Sequence, residues 1–312
     1  MTTSSDRSRQ PEPPPRLGSC LVCGAARQRS LFERGSYRYA RCERCGLASL
    51  WPLPEVAAAR ELYDDAGYFS GDHGAGYQDY EADAAAHRRN AASRLTALER
   101  AAGWRGADTR RVLDVGCATG FFLEVARERG YEIAGVEVSS WARRRAQARL
   151  GIEVAQDVAS LARTGGAGFD AICIAQVLEH EPAAREMLAE ARRLLRPGGV
   201  LFIETWDCQS LVARAFGAHW QQISPPSVVH LFSARSLRQL LASEGLEDVR
   251  IRRGLKWVGL GFVGHLLASK YGALGRAANA GIVRAGLAER ALPYALGDLI
   301  VATSVSPQRA SD

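Results

Sequence analysis

The sequence opens without an apolar stretch. Residues 1–16 are rich in Ser, Arg, Glu and Pro, a composition that buries too little surface to order itself and does not resemble a secretory leader. Long hydrophobic runs are also missing: the most apolar segment, Trp257–Ala268, is interrupted by Gly259, Gly261, Gly264 and His265 and is too short to span a bilayer as one helix. A cytoplasmic location is expected. Disulfide pairing is disfavoured, because the 7 cysteines are odd in number; four form two close pairs, while Cys117, Cys173 and Cys208 are scattered in or beside apolar runs. That pattern suits metal ligation in a reducing compartment. The net charge of +6 comes from the two ends, residues 1–50 and 251–290, the remainder being net acidic. Nucleic acid, an anionic membrane surface, a phosphorylated substrate and plain solvated arginine faces all stay open on this ground. What is present, 312 residues with 47% hydrophobic, suffices for one substantial core and a small extra module.

The paired cysteines are Cys20-Leu-Val-Cys23 and Cys42-Glu-Arg-Cys45, separated by a segment that can form a hairpin with Tyr37 and Tyr39 in alternation. Each C-x2-C turn presents two thiolates, and Gly24 and Gly46 after the second cysteine let backbone amides approach the sulfurs. Four soft ligands close a tetrahedral structural Zn2+ site with no open position, so its expected role is to fold a ribbon and position something. Between Trp51 and about Ala107 helical spacing flanks an aromatic, Gly-rich stretch. There Tyr68, Phe69, Tyr77 and Tyr80 either close over a ligand or pack the linker on the core.

From Arg110 short apolar runs alternate with helical segments, as in a parallel sheet with covering helices. Strands are expected at Arg111–Val115, Ile133–Val138, Ile152–Ala155, Phe169–Gln176 and Val200–Thr205. A helix starts at Ser139 or Ser140 and stops at Gly151; another runs to Leu195, with Arg196-Pro197-Gly198-Gly199 as a turn. Val249–Ile251 and Asp298–Ala302 supply two closing strands. Between them about Lys256–Pro293 forms an apolar, basic helical insertion, read as a cover for the core or a homodimer surface, or as a cap for amphipathic acceptors with peripheral membrane contact.

Asp114 ends the first of these strands, Gly116-Cys117-Ala118-Thr119-Gly120 opens the following helix, and Glu137 follows twenty-three residues after Asp114. An acid at the second strand's end can accept both ribose hydroxyls of a nucleoside across the sheet edge. The turn lacks the middle glycine of a G-x-G-x-x-G, and Asp114 would repel a pyrophosphate while suiting a cationic amino-acid group. This favours S-adenosyl-L-methionine over NAD. The run Leu113–Gly120, Glu137, Asp157 and Leu195-Arg196-Pro197-Gly198-Gly199 together resemble class I S-adenosylmethionine-dependent methyltransferases of the methyltransferase-domain group over about residues 107–250, with Ala118 where many relatives have Gly. The resemblance implies an α/β, Rossmann-like seven-stranded methyltransferase sheet, here with the N-terminal zinc ribbon and C-terminal helical insertion. It also implies that Asp114, Gly116 and Gly120 shape the methionine end of the pocket, that Glu137 takes the ribose, and that Asp157 with Val158 borders the adenine.

Methyl transfer is an in-line displacement that needs alignment and, for a poorly acidic acceptor, a base. Gln176-Val177-Leu178-Glu179-His180-Glu181-Pro182 lies where the acceptor should meet the donor, with Gln176 beside the cofactor and Glu179 and His180 as catalytic candidates; His230 is a third, from a substrate loop. The Leu-Glu-His-x-Pro string resembles that of methyltransferases acting on quinone precursors and of RNA-end ribose methyltransferases, where acids and histidines hold a divalent metal; Gln176 stands where those often have Glu. The expected division is 1–16 tail, 17–50 ribbon, 51–106 linker or lid, 107–255 core, 256–293 insertion, 294–305 closing strand and 306–312 tail. The expected acceptor is a small molecule or a glycan or lipid precursor. RNA is the alternative, weakened by the lack of an Asn-Pro-Pro-Tyr-type motif and of interleaved aromatic and basic residues, and a non-catalytic zinc- and cofactor-binding scaffold is a third reading.

Overall fold

The computed structural model describes residues 18–64, 69, 80–104, 109–163, 165 and 168–308, apart from the side chains of 269 and 270. The 1–16 segment, Tyr68, Tyr77 and residues 309–312 lie outside the described residues.

The two cysteine turns frame a three-stranded antiparallel meander, β1 (Gln28–Arg34), β2 (Tyr37–Cys42) and β3 (Ala48–Trp51). Helices α1 (Val56–Asp64) and α2 (Ala84–Ala102) follow. Then strands and helices alternate: β4 (Arg111–Val115), α3 (Phe121–Glu128), β5 (Glu132–Val136), α4 (Ser140–Leu150), β6 (Val154–Ala155), α5 (Val158–Arg163), β7 (Phe169–Ala175), α6 (Ala184–Leu194) and β8 (Leu195–Trp206). The central strands read as near-continuous apolar runs because both faces are covered: Phe169, Ala171, Ile172, Cys173 and Ile174 of β7 are all buried. Of the two serines proposed to start α4, Ser139 is the cap, its hydroxyl accepting from the Ala142 amide at 3.3 Å, and the helix stops at Gly151 in a left-handed conformation.

The chain continues through α7 (Leu211–Phe216), β9 (His230–Leu231), α8 (Ala234–Ser243), β10 (Glu247–Arg253), β11 (Lys256–Gly259), α9 (Leu260–Lys270), α10 (Gly272–Arg284), β12 (Ala291–Tyr294) and β13 (Leu299–Val305). The main sheet has seven strands in the order β10-β13-β8-β7-β4-β5-β6. β4 to β8 run parallel, and β13 and β10 close the edge antiparallel. The expected α/β, Rossmann-like seven-stranded sheet is therefore present.

Three details differ from the sequence reading. Arg196–Gly199 lies inside β8 and not in a separate turn: Phe169 pairs with Leu195 and Ala171 with Val200, so the intervening residues bulge out of register. A Cβ at Gly199 would sit 2.9 Å from the Arg196 carbonyl oxygen and 3.0 Å from that of Phe169, which explains the glycine. The insertion is not wholly helical, because β11 and β12 pair across its base and clamp the α9–α10 hairpin. And β9, from the segment between β8 and β10, joins the meander by pairing with Ala48 and Ser49 of β3. The cysteine ribbon is thereby stitched to the core. Arg185 of α6 adds to this by donating to the carbonyls of Leu21 (2.9 Å) and Val22 (2.8 Å) while pairing with Glu244.

Candidate active site

In an open parallel sheet, ligands bind beyond the carboxyl ends of the strands where the strand order reverses. Here that point lies between β4 and β7. A cavity of about 370 Å³ opens there, lined by the tips of β4, β5 and β7, by α1 and α2, and by Lys256 of β11.

The turn after β4 gives it its floor. Gly116 has φ +76°, and a Cβ there would collide with Val177 Cγ2. Ala118 (φ +46°) and Gln176 (φ +58°) hold left-handed conformations that are unusual for residues with side chains, and such strain gathers at functional sites. Asp114 is buried, and its burial pushes the carboxyl up to about 7 against the pull of the Arg94 guanidinium. Arg94, on α2, is bound by Glu204 through Nε (3.2 Å) and Nη2 (2.5 Å).

Glu137 is buried at the tip of β5. Its Oε2 accepts from the Ala118 amide (2.8 Å) and its Oε1 from the Ser139 amide (2.9 Å). Burial raises its pKa, and the two amides oppose that. A carboxylate has about four lone-pair directions, so each oxygen retains capacity for a hydroxyl in the cavity. Asp157 lines the cavity while its Oδ1 accepts from the Ser160 amide (2.7 Å) and its Oδ2 pairs with Arg60 (3.3 Å). One wall is aromatic. Phe69 stacks on Trp141 with centroids 5.3 Å apart, and Tyr80, His87 and Phe121 form a second stack, Tyr80 to His87 being 4.0 Å. Burial pushes His87 down to about 3.

The three catalytic candidates are not brought together. His180, ending a single 3-10 turn at Leu178–His180, lines the cavity. Its Nδ1 is 2.8 Å from the Ser227 carbonyl oxygen. A carbonyl only accepts, so in the neutral ring Nδ1 carries the proton and Nε2 the lone pair. Tyr63 donates to the same carbonyl at 2.9 Å. Glu179 points elsewhere: it is buried, accepts from Thr205 Oγ1 at 2.9 Å and is not on the cavity wall. His230 is 1% exposed, with Nδ1 2.9 Å from Ser49 Oγ of the meander; it sits inside the joint between ribbon and core, away from the cavity lining. Burial pushes it down to about 4. Among the described residues, the one group of three or more metal-ligating side chains gathered at a point is the cysteine set.

The segment around His230 links the two regions. The Val229 carbonyl accepts from the Leu50 amide of β3 (2.8 Å), the Val228 carbonyl accepts from the Tyr39 hydroxyl, and the Val229 amide donates to the Glu179 carbonyl (2.8 Å). Lys256 and Arg94 were missed in the sequence. Arg94 shares a helical face with His87, Asn90 and Ala91, all on the cavity, a spacing of three and four that points to one surface. Lys256 lay hidden in an apolar, basic run.

The four cysteine sulfurs lie within 4.8 Å of one another, with Cys20–Cys45 and Cys23–Cys42 contacts of 3.5 Å. Thiolates about 2.3 Å from a common tetrahedral zinc would lie about 3.8 Å apart. The donor set thus fits Zn2+ in both chemistry and spacing.

A family model described as a methyltransferase domain matches residues 84–251. The chain belongs to the methyltransferase-domain family. The match runs from α2 through β4 to β8 and into β10, and takes in the strand tips that floor the cavity; α1, Lys256 and β13 lie outside it. The family member is 29% identical over 161 residues to a ubiquinone biosynthesis O-methyltransferase of Alkalilimnicola ehrlichii, covering 45% of this chain and 65% of that protein. It is 35% identical over 102 residues to the enzyme of the same name from Nitrosococcus oceani, covering 31% and 43%. The matches thus span less than two thirds of these relatives' own length. In structure it resembles phosphoethanolamine N-methyltransferase 2 of Haemonchus contortus, solved in complex with S-adenosyl-L-methionine (TM-score 0.51, 15% identity, 89% of this chain and 71% of that one). It also resembles a Haloferax volcanii complex of the Trm112 methyltransferase activator and a methyltransferase (TM-score 0.50, 14% identity, 83% and 100%). At these identities the likeness concerns the fold. Among the described residues no helix is long and apolar enough to cross a membrane.

Proposed function

We propose that the protein is an S-adenosyl-L-methionine-dependent methyltransferase acting on a small-molecule or lipid-precursor acceptor, with O-methylation, the reaction named for its curated relatives, as the leading reaction. The observation that carries this reading is the Glu137 carboxylate at the tip of β5, fixed by two backbone amides inside the cavity with lone pairs to spare. It is a ready acceptor for two vicinal ribose hydroxyls. The cavity fits the cofactor on further grounds: Gly116 leaves room that a Cβ would fill, Asp114 offers an acid for an ammonium group, and Asp157 and Val158 line the far end.

When bound, the cofactor supplies an electrophilic methyl group. The chain's part is to align the acceptor, exclude water and hold the acceptor's proton. His180 is placed for the last task, because its Nδ1–H is committed to the Ser227 carbonyl and its Nε2 lone pair is left as the base. Glu179 and His230 act by holding structure in this reading. Cys20, Cys23, Cys42 and Cys45 hold a structural Zn2+ that fixes the 17–50 ribbon, while 51–106, 107–255, 256–293 and 294–305 serve as linker, core, insertion and closing strand. The protein works in the cytoplasm, and the α9–α10 hairpin caps the acceptor side or forms a homodimer surface.

Calorimetric titration of zinc-loaded protein with S-adenosylmethionine, S-adenosylhomocysteine and NAD tests the reading. Both adenosyl ligands should bind, NAD should not, and Glu137→Ala should abolish the binding. Folded protein that binds neither adenosyl ligand would refute it.

A further inference from the structure

Three cationic side chains line the cavity, and two are matched by acids: Arg94 by Glu204, and Arg60 by Asp157 at 3.3 Å. Lys256 is different. Among the described residues no carboxylate comes within ion-pair distance of its Nζ, which donates to Gln176 Oε1 at 2.6 Å. That contact fixes the amide's orientation, since the opposite one would set an NH2 group against an ammonium. Gln176 Nε2 is then left buried with no acceptor among the described residues. A buried donor without a partner, on a residue held at φ +58° in the cavity wall, is a group built to meet something.

The strand order says where that something lies. Glu137 follows β5, Asp114 lies at the end of β4 one residue before its last, and Gln176 follows β7, one strand further along the edge. Lys256 reaches back over this end with Nζ 5.7 Å from the ring centroid of Trp206, at the tip of β8. A nucleoside held at Glu137 with its amino-acid portion toward Asp114 leaves the Gln176–Lys256 end for the second substrate. A desolvated ammonium facing a cationic sulfonium would be repelled unless the acceptor brings negative charge.

We propose that Lys256 Nζ and Gln176 Nε2 form an oxyanion subsite, which makes the acceptor an anionic small molecule held by a carboxylate or by an ionised phenol or enol oxygen. The inference rests on the cavity holding S-adenosylmethionine as described above. It assigns the C-terminal insertion, through β11, a part in substrate selection. Burial pushes Lys256 down to about 8, and Glu204, Glu179 and Asp83 oppose that without forming an ion pair to it.

Acetate and its neutral counterpart acetamide, titrated into the S-adenosylhomocysteine complex, probe the subsite. Acetate should bind in the millimolar range and acetamide about tenfold more weakly or less; Lys256→Met should weaken acetate by about ten- to a hundredfold while leaving S-adenosylhomocysteine within about twofold, and Gln176→Leu should weaken acetate by a similar factor. Lys256→Gln repeats the test if the Met variant loses its thermal unfolding transition. Undetectable acetate binding to the wild type, or undiminished binding by the variants, overturns the proposal. So does a Lys256→Met variant that loses S-adenosylhomocysteine but keeps 5′-methylthioadenosine, because the ammonium would then serve the cofactor's own carboxylate. Wild type that binds no adenosyl ligand refutes the cofactor reading instead, and acetate titrated into the protein alone still reads the Lys256–Gln176 pair.

Discussion

Replacing Glu137 by Gln removes little volume and changes the chemistry of one oxygen. In the wild type each carboxylate oxygen accepts a backbone amide, Ala118 at 2.8 Å and Ser139 at 2.9 Å. A glutamine has only one oxygen, so its NH2 must face one of these amides, donor against donor. The stranded amide belongs either to the glycine turn, where Ala118 is half-buried on the cavity wall, or to Ser139, the fully buried residue that caps α4. Leaving such a donor unsatisfied costs about 1–3 kcal/mol, with a further loss from exchanging charged for neutral acceptors. For a domain of this size, each kcal/mol lowers Tm by roughly 2–4 °C. The variant should therefore melt about 2–12 °C below wild type in the absence of any ligand. It should also bind S-adenosylhomocysteine at least about tenfold more weakly, because a charge-assisted hydrogen bond to ribose is lost. Differential scanning calorimetry and titration calorimetry on the same preparation read the two effects separately. An unchanged Tm together with an unchanged affinity would refute both the support ascribed to the two amides and the ribose-binding role.

Further outcomes follow from buried charge, from titration and from metal. Arg94→Met should destabilise the protein by about 3–5 kcal/mol in urea unfolding, because Glu204 is left buried without its partner, and the double variant with Glu204→Met should recover much of the loss. His230 is pushed down to about 4 from 6.5. The unfolded chain therefore binds its proton first, and stability at this residue is lost as pH falls from 6.5 toward 4, by up to about 1.4 kcal/mol per pH unit. His230→Gln should show a shallower acid limb in urea midpoints taken between pH 7 and 4; identical limbs would contradict the burial argument. Cys42→Ser should abolish stoichiometric zinc measured by plasma emission spectrometry and lower Tm, whereas Cys208→Ser should leave zinc unchanged.

Local patterns carried most of the sheet. Apolar runs located β4, β5 and β7 to within a residue or two and the C-terminal half of β8, Ser139 and Gly151 marked both ends of α4, and the glycine turn with Glu137 located the cavity. Features made by residues far apart in the chain were not legible. The β3–β9 pairing joins Ser49 to His230, and no periodicity in either segment announces it. His230 therefore read as a catalytic candidate when its ring is part of a buried joint. The same holds for Lys256, whose meaning depends on β11 pairing with β12 and on a glutamine some eighty residues earlier. Arg196–Gly199 looked like a free turn because a bulge and a turn use the same glycines.

The two residues of β9 have a consequence for how the molecule comes apart. Their neighbours Val228 and Val229 are bonded on one side to the cysteine ribbon and on the other to the turn bearing His180, and the Ser227 carbonyl fixes that imidazole's proton. Ribbon and pocket wall are therefore expected to open together: the Leu50 and Val229 amides should show the same opening free energy in hydrogen exchange. If the four cysteines hold zinc as proposed, removing it should be felt as a change in the tautomer of His180, a histidine outside the cysteine set.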